Sequence, residues 1–191
     1  MTKKKVLSEI IKHKNLISIE KFIDYCLYSE FGYYNNSIVL GKKGDFITAP
    51  EISQLFGEIL GLFILNDWSK NINDRFNLVE LGPGRGTLIR DIINITKKFS
   101  TFNKMMNIHL IERNKYLTKV QQKLLNDFTN NHKISWSKNF KINNKLPCLI
   151  FANEFFDCFP IQQFYKKNDK WFKKMVEISQ PKNSLKFTDK F

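Results

Sequence analysis

A carboxylate and three alternating glycines, Glu80, Gly82, Gly84 and Gly86, form the stretch with the clearest chemical consequence. The run Leu78 to Leu81 is apolar except for Glu80, and Leu88, Ile89, Ile92 and Ile93 follow at helical spacing. That order is strand, glycine loop, helix. Glycine adopts positive φ without strain and has no side chain, so such a loop can press its backbone against a ligand. The helix beyond it offers free N–H groups and a positive dipole end. The spacing argues against two nucleotide readings. A dinucleotide fingerprint needs glycine where Thr87 stands, and a phosphate loop needs a terminal G-K-[ST] that is absent here. A tight strand-to-helix turn with no ligand would use the same glycines. A second polar cluster, Asn153, Glu154 and Asp157 around Phe155 and Phe156, leaves the end of an apolar run. The three histidines and three cysteines are scattered without metal-ligand spacing, so no metal is expected.

Several elements must position these groups. Residues 6 to 28 read as helix with a break near His13 to Asn15, Ser18 capping the second segment. Ile38 to Leu40 is a short strand-like piece. Thr48 to Glu51 has the T-x-x-E form of a capping box with proline in the first turn. Ile52, Leu55, Phe56, Ile59, Leu60, Phe63 and Ile64 then form one stripe, which reads as the buried face of a core helix. Gly57 and Gly61, four apart, would admit another element closely. Thr48, Glu51, Ser53 and Gln54 either cap this helix or line a pocket mouth. Ile108 to Glu112 reads as a second strand ending in an acid, followed by a helix over 116–128 and a strand over 133–136. Leu146 to Ala152 is nearly all apolar and reads as a strand buried on both faces. Ile161 to Tyr165 and Trp171 to Ile178 flank a turn and predict a hairpin.

The net charge of +13 invites a polyanion, but only Arg75, Arg85, Arg90 and Arg113 are arginine. The remaining basic residues are lysine in a chain also rich in Asn, Ile and Phe, all residues with AT-rich codons. Arginine is the better reader of bases and phosphates, so no nucleic acid partner is expected. Unpaired cysteines point to a reducing compartment. No apolar run reaches the roughly 18 residues of a membrane span, and the N-terminus has no apolar signal region and no arginine. A soluble protein of a bacterial cytoplasm is expected, with the mitochondrial matrix as the alternative.

Four stretches converge: Gly44 to Glu58, Val79 to Thr87, Leu110 to Glu112, and Ala152 to Ile161. Together they resemble the MidA family of class I S-adenosyl-L-methionine (SAM) dependent methyltransferases. Its mitochondrial members are protein arginine methyltransferases required for assembling respiratory complex I. The resemblance implies an α/β, Rossmann-like three-layer fold with an N-terminal helical extension, divided into 1–70, helices and a cofactor-covering segment, and 71–191, a Rossmann-like domain with the hairpin. Family members run well past the position of Phe191, so the sheet is expected to be incomplete. The strand Leu146 to Ala152, central in the family's order, would then be an exposed apolar edge, and the chain poorly soluble or dimeric.

The resemblance also assigns roles. Gly44, Asp45, Phe46, Thr48, Pro50 and Glu51 would close over SAM. Gly82, Pro83, Gly84 and Gly86 would leave room for its methionyl and ribose parts. Glu80 would orient loop amides or meet the ammonium. Glu112 would accept both ribose hydroxyls; a surface carboxylate paired with Arg113 or Lys115 is the plainer reading. Asn153 would touch both cofactor and acceptor. Glu154 and Asp157 would hold a guanidinium against the sulfonium, with Phe155 or Phe156 excluding water; as turn formers they would need no substrate. The expected partner is a protein substrate, a complex I subunit being the specific candidate. A non-catalytic SAM-binding assembly factor remains the alternative function, with an NAD-dependent oxidoreductase third.

Overall fold

The computed structural model describes residues 3–13, 15–36, 48–142, 145–179 and 184–190. The element order is α1 (Lys3–Lys12), β1 (Leu16–Ser18), α2 (Ile19–Tyr28), α3 (Tyr33–Asn36), α4 (Ala49–Ile52), α5 (Gln54–Asn71), β2 (Phe76–Leu81), α6 (Thr87–Thr96), α7 (Ser100–Met105), β3 (Met106–Ile111), α8 (Lys115–Leu124), β4 (Lys133–Ser137), β5 (Cys148–Ala152), β6 (Phe164–Lys167), β7 (Lys170–Ser179) and β8 (Ser184–Lys190). Gly44, Asp45 and Phe46, and the strand expected at Ile38 to Leu40, lie outside the described residues.

Two compact units result, Leu40–Phe155 and Met1–Val39 with Phe156–Phe191.

The first unit holds a parallel sheet in the order β4-β3-β2-β5. Phe76 to Leu81 of β2 pair with Met106 to Ile111, and Asn77 to Leu81 pair on the other side with Cys148 to Ala152. Alternate residues of β2 and β3, Phe76, Leu78, Ile108 and Leu110, are fully buried with Ile89, Ile92 and Ile93 of α6. Trp68, Phe76 and Phe102 close one end of this core, with ring centroids 5.2 to 6.1 Å apart. The Trp68 indole donates to the Asp74 carbonyl at 2.8 Å, so its one polar atom is not stranded. On the opposite sheet face, the imidazole of His109 bridges Ser135 (2.8 Å) and Asn77 (3.0 Å), and burial holds its pKa below the usual histidine value.

Two sequence expectations are met only in part. Most of the expected stripe lies off the packed face of α5, although its Ile64 is buried and its Leu60 packs against the core. Ile52 and Phe63 are 73% and 64% exposed, and Leu55, Phe56, Ile59 and Leu62 are exposed too. The packed face is Gly57, Gly61, Ile64 and Trp68, which lies on α6. Bare glycine backbone brings the two helices together more closely than any side-chain ridge would permit. Likewise β5 is not buried on both faces. Among the described residues it pairs only with β2, and Ile150 is 50% exposed. The helix expected from Thr48 onward also divides, because Ser53 is extended (φ −142°, ψ 123°) and ends α4 before α5 begins.

The second unit is built on an antiparallel sheet. β7 pairs with β6, as the predicted hairpin requires, and also with β8 and β1. Ile10, Ile17, Ile19, Val176 and Ile178 form its core. The Ser18 hydroxyl accepts the Lys21 amide at 3.3 Å and caps α2 as expected. The break between α1 and α2 is β1 itself, which ties the N-terminal segment to the hairpin.

The α5–α6 contact is directly testable. A Cβ on Gly61 would lie 2.6 Å from Ile95 Cγ2 and 3.2 Å from the Ile92 Cα. Gly61→Val should therefore destabilise by about 1–3 kcal/mol through overpacking, lowering Tm by roughly 2 °C or more. Ile59→Gln, on the exposed face, should leave Tm nearly unchanged. Differential scanning calorimetry distinguishes them, and equal losses would mean that the apolar stripe is packed after all.

Candidate cofactor and acceptor site

The chain leaves β2 for β3 and β4 on one side, then returns to place β5 on the other. Strand order therefore reverses between β2 and β5. Open α/β sheets bind ligands at the carboxyl ends of strands at such a point. The glycine loop follows β2 there, and Asn153 to Phe155 follow β5.

All three glycines of the loop have positive φ: Gly82 +63°, Gly84 +56° and Gly86 +85°. Gly82 has a second constraint. The Phe155 ring lies over it, and a Cβ there would come within 3.0 Å of Cε2 as well as overlapping Cδ2. The Gly82 amide donates to the Ile111 carbonyl at 3.0 Å, extending the β2–β3 ladder by one residue before the chain turns. Pro83 is buried, and its carbonyl accepts the Gly86 amide at 2.8 Å. Gly86 then starts α6 without a capping side chain.

Glu80 is 3% exposed, and its Oε2 has no hydrogen-bond partner. Desolvation raises its pKa to about 8, so near neutrality it is held mostly as the acid. An unpartnered buried carboxyl beside a backbone loop is suited to a cationic or hydrogen-bonding ligand group.

Glu51 does not close a capping box. Thr48 makes no side-chain cap. Instead the Glu51 carboxylate accepts the Thr87 hydroxyl at 2.9 Å, with Arg85 Nε 3.9 Å away. The acid is drawn to the start of α6, where hydroxyl, guanidinium and dipole all favour it. Pro50 is buried beside it. A cleft of about 250 Å³ is lined by Pro50, Glu51, Gln54, Arg85, Thr87 and Arg90. Of the four polar residues considered for a pocket mouth, Glu51 and Gln54 line it.

Glu112 follows β3 at its carboxyl end. Its Oε1 accepts the Asn114 amide at 2.7 Å and its Oε2 faces Gln121 Nε2 at 3.4 Å. Burial raises its pKa, and the bonds from Asn114, Gln121 and the Arg113 amide oppose that rise. It is thus a half-buried, backbone-anchored acid rather than a solvated partner of a neighbouring side-chain cation. Gln121 is buried on α8 and also donates to the Gly84 carbonyl at 2.7 Å, while the Trp136 indole donates to its Oε1 at 3.1 Å. Sequence reasoning missed Gln121, Trp136 and Thr87. The one linear signal was a glutamine set among Leu117, Leu124 and Leu125 on an otherwise apolar helical face.

The residues of the second cluster differ in exposure. Asn153 is half-buried and Glu154 exposed, Glu154 with φ +52°, a left-handed conformation uncommon for a side chain of that length. Asp157 is exposed on the 3-10 turn Phe156–Cys158, which belongs to the other compact unit. Phe156 is exposed as well.

Comparison with known proteins converges on one family. A family model described as "Putative S-adenosyl-L-methionine-dependent methyltransferase" matches residues 59–190. The mitochondrial protein arginine methyltransferase NDUFAF7 of Bos taurus is 34% identical over 178 residues, covering 82% of this chain and 40% of that protein. Its Caenorhabditis elegans homologue is 32% identical over 199 residues, covering 93% and 46%. The chain thus spans less than half the length of these relatives. A crystal structure from Burkholderia thailandensis bound to S-adenosyl-homocysteine superposes with a TM-score of 0.78 at 19% identity, covering 98% of this chain and 49% of that one.

The state of Glu80 has a measurable consequence. Its pKa is about 8 when folded against an ordinary 4.5, so the folded chain holds a proton that the unfolded chain releases. This contribution to stability is complete below pH 4.5 and is lost as pH rises through about 8. Glu80→Gln removes that loss. Its Tm should exceed the parent's by several degrees at pH 8.5, and by much less at pH 5. Parallel Tm profiles from pH 5 to 8.5 would show that Glu80 is ionised in the folded chain.

Proposed function

The chain belongs to the MidA family of class I SAM-dependent methyltransferases, and from that premise we propose that it binds SAM over the glycine loop and serves protein arginine N-methylation. The observation that carries the cofactor half is the meeting of the glycine loop, the unpartnered Glu80 and the anchored Glu112 at one topological switch point. One feature fits the cofactor: the buried Glu80 oxygen lacks a donor that an ammonium would supply.

SAM supplies an electrophilic methyl on a sulfonium. This chain's residues do the rest. The loop backbone at Gly82, Pro83, Gly84 and Gly86 makes space for the methionyl and ribose parts. Glu112 accepts from the ribose hydroxyls, which are donors at a half-buried acid. Glu51 and Thr48, with Pro50, cover the cofactor. Asn153 lies at the carboxyl end of β5, within reach of both cofactor and acceptor. Glu154 and Asp157 hold a guanidinium fork, so that one nitrogen lone pair lines up behind the methyl carbon. As the new C–N bond forms, the C–S bond breaks and the nitrogen's proton passes to a carboxylate or solvent.

The acceptor is a protein, since the relatives are named mitochondrial protein arginine methyltransferases; the family resemblance makes a respiratory complex I subunit the specific candidate. The compartment would be a mitochondrial matrix or its bacterial counterpart, the cytoplasm. A homodimer would shield the exposed β5 edge. A second reading, a SAM-binding assembly factor without transferase activity, is favoured by one observation: Glu154 and Asp157 are both exposed and divided between the two units.

Calorimetry with SAM and with NAD tests the cofactor, and SAM alone should bind. Transfer of a labelled methyl group to a candidate protein, for this chain and for one extended to the relatives' length, tests the activity. Glu154→Gln and Asp157→Asn should each cut turnover about 100-fold with SAM affinity retained. Undiminished methylation in both variants would leave these acids as turn formers. Binding without transfer in either length would favour the assembly factor.

A further inference from the structure

Gln121 is fully buried, and its carboxamide joins three elements. Nε2 donates to the Gly84 carbonyl (2.7 Å) and faces Glu112 Oε2 (3.4 Å), while Oε1 accepts from the Trp136 indole (3.1 Å). The orientation of the amide is not free. A carbonyl can only accept and an indole N–H can only donate, so the flip that serves Gly84 and Trp136 is also the one that presents N–H to Glu112. The backbone is fitted to the same side chain, since a Cβ on Gly86 would sit 3.3 Å from Gln121 Cγ. Holding the Gly84 carbonyl toward α8 turns the N–H of the same planar peptide unit, that of Arg85, to the opposite side.

We propose that Gln121 is a positioning residue that locks the glycine loop and the Glu112 carboxylate into one arrangement, and so sets the preference for a ribose bearing both hydroxyls. Glu112 has two oxygens. Oε1 is committed to the Asn114 amide, and Oε2 is aimed by Gln121. An isosteric apolar residue at 121 would remove the one side-chain donor that aims Oε2, leaving Glu112 to the Asn114 and Arg113 backbone amides. The inference rests on the cofactor reading above, in which Glu112 receives the ribose.

The test separates the two. S-adenosyl-homocysteine and its 2′-deoxy analogue are titrated calorimetrically into the wild-type chain, Gln121→Met and Trp136→Phe. The wild type should prefer the hydroxylated ligand by about tenfold or more, as for one hydrogen bond to a charged group. Gln121→Met, near-equal in volume, should bring that preference to about twofold or less. Trp136→Phe leaves Gln121 in place but removes the donor that fixes its flip, so it should narrow the preference partway. If Gln121→Met fails to fold, the Trp136→Phe ratio decides alone. Wild-type preference that persists in the folded variants, with both ligands weakened equally, overturns the positioning role. A wild type that binds neither ligand overturns the cofactor reading, and this inference with it.

Discussion

The structure depends on β2 being paired on both sides while the residue after it carries no side chain. Six residues of β2 are held by β3 and five by β5, so the point at which the chain must turn is fixed to within one residue. At that point stands Gly82, in a left-handed conformation and under the Phe155 ring. Any Cβ would have to displace either the loop or the segment following β5. The loop's position, the start of α6 and the exit of β5 are therefore set by one contact. What remains for the other residues is to hold the loop's outer side, and Gln121 on α8 does this through the Gly84 carbonyl.

Placing Glu80 inside this frame has a cost. Burial disfavours a carboxylate, and no donor reaches Oε2 to offset it. A core facing only inward would be more stable with an apolar residue at this position. Unsatisfied groups of this kind concentrate where a site keeps a place for something else. The neighbouring acids show the contrast. Glu51 and Glu112 are each anchored by named donors, and Glu51 additionally by the start of α6. Three acids around one loop thus differ by environment rather than by type.

The sequence made some of this legible and concealed the rest, for identifiable reasons. The strand-loop-helix around Glu80 was readable because glycine spacing is a backbone property, local to six residues. Ser18 was readable as a cap for the same reason. The stripe on α5 misled, because periodicity says that a helix has an apolar face but not that anything covers it. The face that packs is marked by Gly57 and Gly61, where the absence of side chains was the informative signal. The T-x-x-E pattern named Glu51 but not its partner, since the Thr87 hydroxyl lies 36 residues away. Gln121 was invisible as a site residue because its partners, Gly84 and Trp136, come from two other elements. The pairing of β1 with β7 spans the whole chain and left no local trace.

Cofactor binding and methyl transfer make unequal demands on this architecture. Every group assigned to the cofactor and described here, from Thr48 to Glu112 together with Asn153, belongs to one compact unit. There the hydrogen bonds of the loop, α4, β3 and α8 fix them relative to one another. Binding tolerates small displacements, because each contact contributes on its own. Transfer does not, since the attacking nitrogen must lie behind the methyl carbon, and a misplacement of about 1 Å can cost 100-fold. Of the acceptor candidates, Glu154 belongs to the same unit and Asp157 to the other. Glu154 takes a left-handed backbone (φ +52°) two residues after β5, so its direction is set by the chain leaving the sheet, whereas Asp157 lies on the exposed 3-10 turn Phe156–Cys158. In the proposed reading these two acids carry the step that tolerates least displacement.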